Sequence, residues 1–130
     1  MGRGLCCAVH NFRKLAVWSR SVALGAEIYQ LCAAVTRPRE HLVTAQLRRS
    51  ALSIASNIAE GCGKRSRAET IRYLEIASGS AAESEHHLLV AADLGILPKE
   101  RCDVLADEVV QIRRMIRTLI ERFPRNGGGT

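Results

Sequence analysis

The sequence predicts an all-α protein, folded as an antiparallel, up-down-up-down four-helix bundle, and three features support this fold class. Hydrophobic residues make up 47% of the 130 residues and aromatic residues only 4%, which suits closely packed helices with an aliphatic core. Apolar residues recur every three or four positions, and no run alternates apolar and polar residues as a half-buried strand does. Glycine and proline cluster at a few places, which separate four such segments.

One domain is expected, because a chain of this length buries roughly two-thirds of its unfolded surface in a single core. We assign the bundle to residues 13–124, a flexible leader to residues 1–12 and a disordered tail to residues 125–130. The first helix is predicted from Arg13 to Val35, with two apolar lines that imply two neighbouring helices. It ends before Pro38, since the residue that precedes a proline avoids the helical region.

The second helix is predicted from about Glu40 to Glu60, with Gly61 as its C-terminal glycine cap. Ser66 and Glu69 then form a capping box, in which the serine accepts a backbone amide and the glutamate reaches back to the cap. This box opens a third helix over residues 67–94. Because the connecting turn is short, the two helices are expected to be antiparallel neighbours.

The third helix has apolar residues on opposite sides and six small residues in its middle, residues 77–82. Glycine inside a helix costs about 1 kcal/mol relative to alanine, so we expect a facing helix to approach closely at Gly79. No helix of a four-helix bundle is central, so the second apolar side is expected to contact another subunit.

The fourth helix begins with Pro98 at its first position, after a cap at Gly95, and stops at Pro124. It has a single apolar stripe, which predicts one face toward the core. The stripe consists of Cys102, Leu105, Val109, Ile112, Ile116, Leu119, Ile120 and Phe123.

A row of polar side chains follows the second helix beside its apolar stripe and continues with one glutamate of the third helix. This polar row consists of Gln46, Arg49, Ser53, Asn57, Glu60 and Glu83. It is either a binding or catalytic row, or a structural network in which Arg49 and Asn57 pair with Glu60 or Glu83. We favour the structural network, because buried polar groups are hydrogen-bonded and such a network can fix the register of two helices.

Basic residues outnumber acidic residues by 19 to 13, and they are unevenly distributed. Residues 48–72 and 113–125 are rich in bases, whereas residues 73–112 are strongly acidic. The candidate contacts to nucleic-acid phosphates are Arg48, Lys64, Arg65, Arg67, Arg72, Arg113, Arg114 and Arg117. Ordinary solvated basic surface is the alternative, because a pI near 9.5 permits a polyanionic partner without establishing one.

The residues indicate no catalytic, metal or cofactor site. The five cysteines lack the two-residue spacing of zinc and redox motifs, and we interpret them as reduced thiols of a cytoplasmic protein. Glu83 and His86 form one Glu-x-x-His pair, but a di-iron site needs a second pair and two further glutamates. No apolar stretch approaches the ~20 residues of a membrane span. We therefore predict a protein that is not an enzyme, binds no cofactor and inserts in no membrane.

Three segments together resemble one known family. They are Gln46-Leu47-Arg48-Arg49, the stretch SIASNIAEG (53–61) with Gly63-Lys64, and residues 73–83, which read YLEIASGSAAE. With Trp18, Tyr29, Pro38 and Leu94-Gly95, they are similar to the "four helix bundle protein" family, whose members are encoded, among other places, in intervening sequences of 23S ribosomal RNA genes. Ser84 departs from the pattern, since the family more often has an aliphatic residue there.

The resemblance implies a four-helix bundle that assembles as a homopentameric barrel. It also implies kinship with the accessory variability protein of diversity-generating retroelements, a basic pentamer that binds nucleic acid and a reverse transcriptase. Two functions follow as hypotheses. The first is a basic oligomer that binds RNA or DNA backbones, as an accessory factor to a reverse transcriptase. The second is a protein-interaction scaffold that does not itself bind nucleic acid.

Overall fold

The computed structural model describes residues 11–123. Within this range the chain forms four α-helices and two short 3-10 turns, with no strand, so the all-α prediction is confirmed. The helices are α1 (Ala16–Ala33), α2 (His41–Cys62), α3 (Arg67–Asp93) and α4 (Lys99–Glu121), and the turns are Phe12–Lys14 and Pro38–Glu40. The predicted tail, the stop at Pro124 and all but the last two residues of the predicted leader lie outside the described residues.

The helices follow one another around the bundle, and each packs against the next in the chain. α2 and α3 share the most extensive interface, whereas α1 and α4 touch least. Two ion pairs show that α1 and α4 are antiparallel. Arg20 of α1 pairs with Glu108 of α4, whereas Glu27, further along α1, pairs with Arg101, nearer the start of α4. The predicted up-down-up-down order is therefore present.

The core is aliphatic, and α4 contributes one continuous stripe to it. All eight residues predicted for that stripe, from Cys102 to Phe123, are buried. Opposite them, Ile28 of α1, Leu47 and Ile54 of α2 and Leu74 of α3 are fully inaccessible. Because each helix supplies one such face, the chain encloses a single core.

The first helix is shorter than predicted at both ends. Leu15 has an extended backbone (φ −84°, ψ 122°), which separates the 3-10 turn from α1. This break brings the ring of Phe12 edge-on to Trp18, with the ring centroids 5.0 Å apart. At the other end α1 stops at Ala33, so that Val35 lies outside the helix and the chain is extended at Arg37 before Pro38.

Gly61 is not the cap of α2, contrary to the sequence prediction. The helix continues to Cys62, and Gly63 caps it with a right-handed backbone. A β-carbon on Gly61 would lie 3.0 Å from the Cβ of Tyr73 and 3.2 Å from the carbonyl oxygen of Thr70. Gly61 is therefore needed because α3 crosses it closely, and the Thr70 hydroxyl donates to its carbonyl oxygen at 3.0 Å.

Gly79 was expected to mark the close approach of a facing helix, and no other helix of residues 11–123 approaches it. It is exposed, and an added β-carbon would meet nothing within 4 Å among the described residues. The small residues in the middle of α3 therefore do not mark a close approach of another helix of the same chain at this glycine. Further along α3, Leu89 is half exposed, whereas Ser84 is fully buried.

The helix termini follow the sequence prediction more closely. Ser66 accepts a hydrogen bond from the backbone amide of Glu69 at 3.1 Å, which is the serine half of the predicted capping box. The Glu69 carboxylate does not reach back to the cap and lies 3.9 Å from Arg72 instead. Gly95 adopts a left-handed backbone, with φ of +71°, at the end of α3. Pro98 is the residue before α4 rather than its first residue. None of the helices within residues 11–123 has a stretch long and apolar enough to cross a bilayer.

Candidate nucleic-acid interface

The polar row lies along the groove between α2 and α3 and is half-buried to exposed. Arg49 stands between two partners: its guanidinium donates to Gln46 at 3.1 Å and lies 3.8 Å from the Glu83 carboxylate of α3. Glu83 also lies 3.3 Å from the ring of His87. The structure thus brings Arg49 and Glu83 together, in one of the pairings that the network hypothesis names.

Asn57 and Glu60 do not pair with each other, and neither pairs with Glu83, in contrast to the network hypothesis. The Asn57 amide donates to the Ser53 carbonyl oxygen of its own helix at 2.8 Å, rather than to a carboxylate. Glu60 pairs with Lys64 one turn later, at 3.3 Å. Both are local contacts, because an Asn or Glu side chain reaches backbone and cations four residues away more easily than a facing helix.

Serine pairs cross the α2–α3 interface beneath the polar row, and the sequence analysis missed them. Ser84, with none of its surface exposed, donates to the Ser50 hydroxyl at 3.0 Å. One turn nearer the α2–α3 turn, the Ser53 hydroxyl donates to that of Ser80. The signal was present in the sequence as Ser84, where the family more often has an aliphatic residue. A buried hydroxyl needs a partner, and the Ser50 hydroxyl and the Ser80 carbonyl oxygen, 2.9 Å away on the same helix, both lie within hydrogen-bond distance of it.

Four cations surround the turn between α2 and α3, and we call them the turn cluster: Lys64, Arg65, Arg67 and Arg72. Lys64 and Arg72 both approach the ring of Tyr73, at 5.0 and 5.2 Å from its centroid. Arg72 is also 3.9 Å from Glu69. Arg65 and Arg67 are exposed and have no ion-pair partner within residues 11–123. The turn therefore presents two guanidinium groups without an ion-pair partner in this range, together with the Tyr73 ring and its two adjacent cations. The contacts of these cations with Tyr73 were not predicted.

The remaining predicted cations lie on other faces. Arg48 is on the α1 side of α2, with its guanidinium 6.0 Å from the Tyr29 ring centroid, and is not part of the turn cluster. On α4, Arg113 lies 3.8 Å from Glu85 and Arg117 lies 3.3 Å from Glu75. Arg114 has no ion-pair partner among the described residues. Acidic side chains of α3 thus neutralise two of these three α4 arginines.

The antiparallel topology collects the basic stretches at one end of the bundle. This basic end comprises residues 11–19, 57–75 and 114–123. It carries nine bases (Arg13, Lys14, Lys64, Arg65, Arg67, Arg72, Arg114, Arg117, Arg122) against four acids (Glu60, Glu69, Glu75, Glu121). The opposite, acidic end comprises residues 27–45 and 86–107. It carries four bases (Arg37, Arg39, Lys99, Arg101) against six acids (Glu27, Glu40, Asp93, Glu100, Asp103, Asp107).

Other polar groups indicate no reactive centre in residues 11–123. His86 and His87 stack edge to face, 5.2 Å between ring centroids, and no group of three metal-ligating side chains occurs in this range. Cys32, Cys62 and Cys102 are buried free thiols. Burial raises the pKa of Cys62 to about 11, so that this thiol stays protonated and packs as a small apolar side chain.

The profile described as 23S rRNA-intervening sequence protein matches residues 13–118. A solved crystal structure from Bacteroides thetaiotaomicron VPI-5482, of a protein with unknown function from the S23 ribosomal protein family, has 26% identity and a TM-score of 0.76. The match covers 82% of this chain and 99% of that one. No curated protein matches the chain. Neither relationship indicates an enzyme family, and the chain belongs to the 23S rRNA-intervening sequence protein family.

Proposed function

We propose that this chain is a non-enzymatic, basic, oligomeric protein of the cytoplasm that binds the phosphate backbone of RNA or DNA. The observation that carries the proposal is the concentration of nine bases against four acids at one end of the bundle. Phosphate contacts dominate the affinity of proteins for nucleic acids, and clustered Lys and Arg side chains supply them.

The turn cluster is the centre of the proposed interface. Arg65 and Arg67 have no carboxylate partner among residues 11–123 to compete with a phosphate. Lys64 and Arg72 flank the ring of Tyr73 at the same turn. Arg114 extends the surface across the same end, whereas Arg113, Arg117 and the more distant Arg48 contribute less. Binding of this kind is weakly sequence-specific, because the contacts are to the backbone.

Self-association would multiply this basic field. Ile76 is exposed on the outer side of α3, beside the open surface at Gly79, and Tyr29 and Leu52 are exposed on α1 and α2. Apolar groups on two sides suit contacts with two neighbouring copies in a ring. The homopentamer, and the role as accessory factor to a reverse transcriptase, follow from the family resemblance alone.

A filter-binding titration with structured RNA and duplex DNA at low salt tests the proposal. We expect retention of both, with an affinity that falls linearly on a log–log plot against salt. The double variant Arg65→Ala/Arg67→Ala should weaken binding to any sequence and lower the salt slope by about two. Arg37→Ala/Arg39→Ala removes the same charge from the acidic end and should have little effect. No retention by the parent chain at low salt would refute nucleic-acid binding.

The acidic end supports the second candidate, a protein-interaction scaffold. Among residues 11–123, the three most exposed large apolar side chains, Leu42 (71%), Val104 (64%) and Leu94 (60%), all lie there. If a protein partner stays bound after Lys64, Arg65 and Arg67 are neutralised, the scaffold is the better description. Native mass spectrometry of the chain, with and without RNA, would measure copy number and nucleic-acid binding in one experiment.

A further inference from the structure

A pocket lies between the start of α1 and the last turns of α4, at the basic end. This end pocket has a volume of about 390 Å³, within the ~300–1,000 Å³ range of small-molecule sites. Lys14, Arg114 and Arg122 line it, together with the apolar side chains of Val17, Met115 and Leu119. The pocket therefore combines three cations with an apolar floor.

The three cations are not neutralised by any side chain of residues 11–123. None of them has an ion-pair partner among residues 11–123, although other arginines of the same two helices do. Arg20, one turn after Val17 on α1, forms an ion pair with Glu108 at 2.6 Å, and Arg101 of α4 forms one with Glu27 at 2.9 Å. The end pocket is therefore a place where positive charge is left free beside a cavity.

The rest of the α1–α4 groove carries less unpaired positive charge. A second cavity, about 600 Å³, continues the groove toward the acidic end and is lined by Arg20 and Arg114 as well as by Glu27, Asp107 and Glu108. Glu108 pairs with Arg20 and Glu27 pairs with Arg101, so the mixed charges there favour an anion less than the end pocket does.

We propose that the end pocket binds a nucleotide through its phosphomonoester, with the phosphate among Lys14, Arg114 and Arg122 and the base on the apolar floor. Arginine forks bind phosphate oxygens in pairs, and three free cations match a dianionic monoester better than a carboxylate or a diester. The thioether of Met115 suits contact with an aromatic ring, and the Arg20 guanidinium, 3.5 Å from its sulfur, holds it in place.

The nucleotide has two sources, a free mononucleotide or the 5′-phosphorylated end of a strand. The strand end would deepen the proposed function, with which this inference shares Arg114, whereas the free nucleotide would be independent of it. Calorimetric titration with AMP, with adenosine, and with a short oligonucleotide carrying a 5′-phosphate or a 5′-hydroxyl separates them. Tighter binding of the phosphorylated oligonucleotide assigns the pocket to strand ends, and AMP binding without that preference assigns it to free nucleotides.

We expect saturable AMP binding by the parent chain and binding of adenosine at least about tenfold weaker, because charge-assisted hydrogen bonds supply most of the affinity. Lys14→Ala/Arg122→Ala should weaken AMP binding by a similar factor. Arg37→Ala/Arg39→Ala, which removes the same charge at the acidic end, should leave it unchanged. All four side chains are exposed, and a thermal melt of each variant checks that the fold is kept.

Three results would overturn the inference: no saturable AMP binding by the parent chain, equal binding by the Lys14→Ala/Arg122→Ala variant, or adenosine binding as tight as that of AMP. The proposed function fails separately. If duplexes are not retained at low salt while AMP still binds, the pocket stands as a nucleotide site and backbone binding is refuted. If duplexes are retained and AMP is not bound, the reverse holds.

Discussion

The interface between α2 and α3 and the groove between α1 and α4 lie on different sides of one core and are built in different ways. α2 and α3 are held by a helix crossing at Gly61, by the Thr70 hydroxyl on its carbonyl oxygen and by the buried Ser50–Ser84 pair. α1 and α4 are joined across their outer edge by exposed ion pairs and leave two cavities.

The difference shows how one bundle separates stability from ligand access. A close crossing with internal hydroxyl pairs leaves no volume for a ligand and loses much stability when it is disturbed. Exposed ion pairs contribute little, so the groove they span can keep free charge and open volume. Mutations in the α2–α3 interface should therefore lower the free energy of unfolding more than mutations in the α1–α4 groove.

The largest effect is expected at the Gly61 crossing. Gly61→Val should lower the free energy of unfolding by about 3 kcal/mol, because its side chain would collide with Tyr73 and the Thr70 backbone. Gly79→Ala is the matched control: its site is open, and the exchange should raise stability by about 0.5–1 kcal/mol. Urea denaturation of both variants measures the difference. Equal tolerance of the two substitutions would contradict the close crossing.

An intermediate effect is expected at the buried serine pair. Ser84→Ala removes the hydroxyl that donates to Ser50 and should cost about 1 kcal/mol. Ser56→Ala, which removes an exposed hydroxyl bonded only to its own helix at 3.2 Å, should cost less. Chemical denaturation of these two variants, of Ser50→Ala and of Ser50→Ala/Ser84→Ala provides the test. A double variant whose loss equals the sum of the single losses would show that the two hydroxyls do not interact.

The smallest effect is expected in the α1–α4 groove. Arg20→Ala removes the pair with Glu108 and should cost less than about 1 kcal/mol, because both side chains are substantially exposed. In 1 M salt the difference from the parent chain should shrink further, since screening weakens exposed pairs. Thermal melts at low and high salt measure it. A loss as large as that of Gly61→Val would mean that the groove, rather than the α2–α3 interface, holds the bundle together.

Much of the fold was predictable from local pattern. The α4 stripe, the Ser66 cap and the Gly95 turn were predicted correctly, because periodicity and capping are properties of neighbouring residues. Gly61 was misassigned as a cap, and no other helix of residues 11–123 closely approaches Gly79, since the space around a glycine depends on the helices that pack against it. The Arg49–Glu83 pair was among the predicted pairings and is present. Asn57 was also predicted to pair with a carboxylate, but it donates to the Ser53 carbonyl oxygen of its own helix. The roles of the cations and of the polar row stay predictions.

The end pocket was not predicted, for the same physical reason. Lys14 and Arg122 are separated by more than a hundred residues and belong to no shared motif, so only the antiparallel packing of α1 on α4 places them around one cavity. The amino-acid sequence by itself determined four amphipathic helices, the cap at Ser66, the turn at Gly95 and an uneven distribution of charge along the chain. Only the tertiary structure decided which glycine is crossed, which serines pair and which end of the molecule is basic. Periodicity acts over a few residues, whereas contacts and electrostatic fields depend on distances in space.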